Sequence, residues 1–283
     1  MIRLLAIGNS YSWNATDYLP EFAAAQGHQI TLGHASNGGW SLEKHWTHVE
    51  MDEAGDPTGK PYKLDGRPAG LKEMLHSSPW DIVTFQQHSW SAIDLNTYQP
   101  FATQLTNFVR QHVPKAQLWM HETWAYRVGG PILLKHNLTQ EQMYRQIHHA
   151  CRVVSKQVNA DKLIPTATAF QNVRQDPRWR LEVEDFDPAT LKYPNLLKQK
   201  HALCIGHQWD AKVSPPRLDF DPKHCTPEGR YLGTVVWYHS LFGEARREPF
   251  VPKAVSAADA AILRDVGRRT VLEGLKPAMP ALA

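Results

Sequence analysis

The sequence predicts a single α/β domain, a three-layer α/β/α sandwich around a mostly parallel five-stranded sheet. Two observations carry that expectation. Short apolar runs of strand length alternate with longer stretches whose apolar residues recur at helical spacing, the order that builds parallel sheets. The first run, Leu4-Leu5-Ala6-Ile7, is apolar at every position, as suits a strand covered on both faces. No linker breaks the alternation over 283 residues, so one elaborated domain is expected across residues 1–283, with polar excursions near 50–70 and 176–216.

Taken in order, Gly8 permits a sharp turn after the first strand and places Ser10 at its carboxyl end, the edge where open α/β sheets bind ligands. A helix is read from Asp17 to Gln26, with Gly27 as its stop. Ile30 to Ala35 reads as the second strand, and Ser36 to Leu42 as a turn entering a short helix. Glu50 to Gly70 is rich in Gly, Pro and Asp and reads as an exposed loop. Leu71 to His76 reads as a helix tail, and Asp81 to Gln87 as the third strand. Phe101, Leu105, Phe108 and Val109 mark a helix over Thr97 to His112. The fourth strand is Gln117 to His121, followed by a long helix from Thr139 to Val158 and a fifth strand from Leu163 to Ala169.

Asp176 to Pro216, with Trp179, Pro188, Pro194 and Trp209, reads as a mixed-charge insertion forming a partial lid. Further on, Thr226 reads as the N-cap of a helix with Pro227 at its first position and Glu228 in its first turn. Asp221 and His224 are thereby expected on a short loop held by that packed helix. Ser256 to Leu275 is the last helix, and the tail carries Pro277 and Pro280.

Composition narrows the function. The formal charge of +3 is spread without a basic block, which argues against a nucleic-acid partner. Three cysteines form neither a disulfide framework nor a zinc spacing. No leader and no apolar stretch of transmembrane length is read, so no membrane insertion is expected and the chain reads as soluble. His121-Glu122 opens like a zinc-protease helix, but Ala125 stands where the second histidine belongs, and no metal is expected.

Ser10, Asp221 and His224 supply the parts of a hydrolase triad: serine as nucleophile, histidine as base, and aspartate to fix the imidazole. With Gly8-Asn9-Ser10 near the start and an Asp-x-x-His unit before a late helix, the chain resembles the SGNH (GDSL-like) hydrolase superfamily. More narrowly, it is similar to the Gly-Asn-Ser branch known largely as a domain of unknown function. The resemblance runs from Ile2 to about Gly243 through Gly38 to Leu42, Asp81 to Ser89, His121 to Tyr126 and Gln171 to Arg174. It implies the flavodoxin-like SGNH hydrolase fold, Ser10 as nucleophile, and Gly39 as a backbone donor to the oxyanion beside the Ser10 N–H. The superfamily takes a third donor from the asparagine of Gly-x-Asn-Asp. This chain reads Gln86-Gln87-His88-Ser89 there, and the role is assigned to Gln87, with Gln86 and Ser89 as competitors.

The expected reaction is ester hydrolysis through an acyl-enzyme, which needs no cofactor. Trp40, Trp90 and Trp124 would suit stacking on sugar rings, favouring an O-acetylated carbohydrate or another small or glycan ester as substrate. His121, Trp124 and Tyr126 are read as pocket wall or as aromatic core, and Asn172 and Arg174 as substrate contacts or as capping and ion-pairing groups. Two rivals stand beside the esterase: a flavodoxin-like protein binding phosphate or flavin through the hydroxyl-rich loop at Gly8 to Thr16, and a non-catalytic glycan-binding fold.

Overall fold

Leu4 to Ile7 are wholly buried, and their strand, β1 (Ile2–Gly8), runs inside the sheet. In the computed structural model, which describes residues 1–187 and 190–278, β1 pairs with β2 (Ile30–Ser36) on one side and β3 (Ile82–Phe85) on the other. β4 (Gln117–His121) and β5 (Lys162–Ile164) follow outward. The order is β2-β1-β3-β4-β5 and every neighbouring pair is parallel. Chain direction reverses its lateral course at β1, so the carboxyl ends of β1 and β3 flank a switch point where a crevice forms. Pro188 and Pro280 lie outside the described residues.

The helices are α1 (Ser10–Thr16), α2 (Leu19–Ala25), α3 (Leu42–Glu53), α4 (Leu71–His76), α5 (Phe101–His112), α6 (Pro131–Lys135), α7 (Gln140–Gln157), α8 (Thr166–Gln175), α9 (Pro227–Phe242) and α10 (Ala257–Leu272). α3 and α4 pack on α5, whereas α1, α2, α8 and α10 gather around α9. Tyr231 to Ser240 of α9 are buried without a break, as a helix with neighbours on all sides requires. Among the described residues no helix is long and apolar enough to cross a membrane.

Four expectations are corrected. The helix expected over Asp17 to Gln26 is α2, and an unexpected helix, α1, precedes it from Ser10, where the Asn9 side chain accepts from the Tyr11 N–H and caps it. The fifth strand stops at Ile164 and α8 begins at Thr166; the apolar run in Ala167 to Val173 is a helix buried all round, which periodicity cannot tell from a buried strand. The stretch from Glu50 to Gly70 contains the end of α3 and a small hairpin, Tyr62–Leu64 with Arg67–Ala69. Finally, Asp221 and His224 are not on a loop. They lie on β7 (Arg217–Cys225), antiparallel to β6 (Cys204–Asp210), where Leu218, Phe220 and Pro222 alternate with charged residues.

Candidate active site

Gly8 ends β1 against the Gln86 side chain, where a Cβ would stand 2.9 Å from two Gln86 carbons. That close approach lets one amide fasten the whole turn. Gln86 donates to Asn9 Oδ1 at 2.7 Å and accepts from Ser12 Oγ at 2.7 Å and His121 Nδ1 at 2.6 Å. Asn9 in turn donates to the Trp40 carbonyl at 2.9 Å. Every polar atom of the two amides is engaged, and a satisfied buried network of this kind fixes one geometry. Ser10 is thereby held at the first turn of α1, where backbone N–H groups have no intrahelical acceptor.

The other half of the site arrives on β7. The His224 ring meets Ser10 Oγ through Nε2 at 2.9 Å and Asp221 Oδ2 through Nδ1 at 2.7 Å. Asp221 Oδ1 also accepts from the backbone N–H groups of His224 and Lys223, at 3.0 and 3.1 Å. Burial alone would push the Asp221 carboxyl up, but the His224 ring and those two N–H donors outweigh it and hold the carboxyl at about 2. Since the carboxylate can only accept, Nδ1 carries the proton and Nε2 is free to accept from the Ser10 hydroxyl. At the end of β7, the Cys225 N–H donates to Asn14 Oδ1 of α1 at 2.6 Å, tying the two segments together.

Asn9, Ser10, Trp13, Gly39, His88 and His224 line a pocket of about 400 Å³ over this arrangement. Gly39 has φ of +72°, a left-handed conformation that favours glycine. Trp13 is 40% exposed and stands at the mouth. Burial and then the Lys223 ammonium push the His88 imidazole down, favouring its neutral form.

A family model described as DUF4886, a domain of unknown function, matches residues 3–186. The chain belongs to that family. The matched span carries Ser10, while Asp221 and His224 lie beyond it. A crystal structure of a DUF4886 family protein from Bacteroides uniformis is similar over 98% of this chain and 97% of that one, with 23% identity and a TM-score of 0.73. A proposed SGNH hydrolase from Slackia heliotrinireducens is similar over 85% of this chain and 98% of that one, with 18% identity and a TM-score of 0.51. The chain thus has the α/β sandwich of the SGNH hydrolases. No curated protein matches its sequence significantly.

The structure brings Ser10, Asp221, His224 and Gly39 to one place and moves several other expected residues away. Gln87 is buried: its amide donates to the Thr97 carbonyl at 2.9 Å and accepts from Leu42 N–H and His88 N–H at 3.0 and 2.8 Å. It pins the glycine turn to the end of β3 rather than facing the pocket. Of its competitors, Gln86 is engaged as described, whereas Ser89 stays on the pocket lining with its Oγ 2.9 Å from the Tyr126 hydroxyl. His121 is buried beneath Gln86, with its ring edge-on to Trp237 at 4.9 Å. Trp124 is fully buried, stacked between Tyr11 and Phe170, and its indole donates to the Lys223 carbonyl at 2.9 Å.

Asn172 sits on α8 and donates to Thr270 Oγ1 and the Leu275 carbonyl, fastening the C-terminal segment. Trp40 packs beside His48 at 4.3 Å and is outside the pocket lining. Sequence reasoning passed over Asn9, Trp13, Asn14 and His88. Asn9 had a readable signal, as an asparagine directly before a helix. The others depend on which face of α1 and which side of the β3 turn meets solvent. Cys225 is buried, and burial pushes its thiol well up, which removes it as a nucleophile.

Proposed function

We propose that the chain is a serine ester hydrolase. The observation that carries this reading is the continuous Ser10–His224–Asp221 hydrogen-bond chain, 2.9 and 2.7 Å long, on the wall of an open pocket. Ser10 Oγ attacks the ester carbonyl carbon as its proton passes to His224 Nε2. The tetrahedral intermediate collapses, and the leaving alcohol takes that proton from His224. Water then repeats the sequence on the acyl-serine, releasing the acid. Asp221 holds the imidazole in the required tautomer and stabilises the imidazolium.

The oxyanion is received by backbone donors at Ser10 and Gly39. Gln87 acts through the turn it pins, as a positioning residue. Exposed Trp13 on the pocket lining offers an aromatic face to a sugar ring, so an O-acetylated carbohydrate is the favoured substrate class.

Purified protein given p-nitrophenyl acetate and acetylated oligosaccharides should release acetate, and Ser10→Ala should lower kcat by at least about a thousandfold. Wild-type protein that turns over no short-acyl ester and takes no label from a fluorophosphonate would sink the reading.

A further inference from the structure

Behind the hairpin that carries Asp221 lies a second, more enclosed cavity of about 150 Å³, of the size that admits a benzene-sized guest. Arg127, Arg174, Trp179, His201 and Cys204 contribute to its lining, and it shares no lining residue with the serine pocket. Arg127 is only 4% exposed and Trp179 only 2%. Arg127 Nε, Arg174 Nη1 and Trp179 Nε1 are all buried without a hydrogen-bond partner.

The bonds these residues do make leave the charges uncompensated. Arg127 Nη1 donates to the Cys204 and Ile205 carbonyls, and Arg174 Nη2 to the Ala125 carbonyl and the Cys204 thiol. Among the described residues neither guanidinium pairs with a carboxylate. Burial pushes the Arg127 guanidinium down, and the like charge of Arg174 beside it adds to that. Arg127 is a buried cation without a counter-ion and Arg174 a half-buried one, and unpaired charge and buried N–H donors without an acceptor are each costly. Gly206, at φ of +71°, leaves the space a Cβ would take from the Arg127 guanidinium.

We propose that this cavity is an anion site for a small oxyanion, a carboxylate or a phosphate. Such an ion supplies the counter-charge that both arginines lack, which is the chemistry that favours arginine for carboxylate and phosphate. The site stands independently of the esterase reading. Its wall also reaches the hairpin, because the Arg127 N–H donates to the Pro222 carbonyl at 2.8 Å, next to Asp221.

Isothermal titration of the full chain with inorganic phosphate, and separately with acetate, in a low-salt cationic buffer tests the site. At least one probe should bind saturably with one-to-one stoichiometry, and chloride at matched ionic strength should not. Ser10→Ala should bind as wild type does. Arg174→Gln should weaken binding by roughly tenfold or more, and Arg127→Lys, which keeps the charge and loses the planar fork, should weaken it severalfold. Phosphate binding alone assigns a tetrahedral anion, and acetate alone a carboxylate. No saturable heat from either probe, or equal binding by wild type and folded Arg127→Lys and Arg174→Gln proteins, overturns the proposal. Should Arg174→Gln fail to fold, Arg127→Lys decides alone.

Discussion

A histidine serves as base only when one ring nitrogen is kept protonated and the other turned to the nucleophile, and in this chain a single carboxylate does both. Asp221 accepts from the Nδ1–H at 2.7 Å while two backbone N–H groups hold its second oxygen. Asp221→Asn should keep the packing yet present the wrong hydrogen-bonding partner, lowering kcat on p-nitrophenyl acetate by about four orders of magnitude. A loss of less than tenfold in a folded variant would remove Asp221 from the mechanism. Ser10, Asp221 and His224 could be read from the sequence because each sits in a short local pattern, a glycine turn or an Asp-x-x-His unit. Gln87, His121, Trp124 and Asn172 could not be placed that way. A polar or aromatic residue at a strand end can face the crevice or the core, and which it does is decided by distant partners such as Thr97, Trp237, Phe170 and Thr270.

Between elements, the nucleophile's position depends on how α1 lies on α9. A Cβ at Gly233 of α9 would stand 2.7 Å from the Ala15 Cα of α1, so the two backbones touch with no side chain between them. The helix that carries Ser10 is also tied to the β7 end through Asn14. Gly233→Val should therefore overpack this contact, costing about 1–3 kcal/mol of stability, and should lower kcat in protein that remains folded, because α1 must shift. Urea denaturation gives the first quantity and steady-state kinetics the second; unchanged values for both would show that the contact yields without moving the serine. The close crossing is hidden in the sequence, as α1 itself is. A glycine in a buried helix shows its purpose only when the neighbouring helix is known.

For the molecule as a whole, acid is the condition that acts on several buried groups together. His45 is fully buried, with Nε2 donating to the Gly8 carbonyl at 2.9 Å and Nδ1 facing the Tyr62 hydroxyl at 2.7 Å. His121 donates through Nδ1 to Gln86, and its buried Nε2 has no partner. Burial lowers His45 to about 4 and His121 to about 3, whereas in the unfolded chain both would titrate near about 6.5. The unfolded state therefore binds more protons between those values. Their contribution to stability is whole above about pH 6.5 and is lost as pH falls toward the native values, at about 1.4 kcal/mol per pH unit for each histidine. Asp221 has the same sign in a lower window, present above about pH 3.9 and lost toward about 2. Urea unfolding free energies should thus fall steeply between pH 6.5 and 4.5. His121→Asn, which keeps an N–H for Gln86, should shed about one histidine's share of that slope, and Asp221→Asn should leave the slope as it was. Equal slopes for wild type and His121→Asn would mean that the ring under the serine turn takes up its proton without cost to the fold.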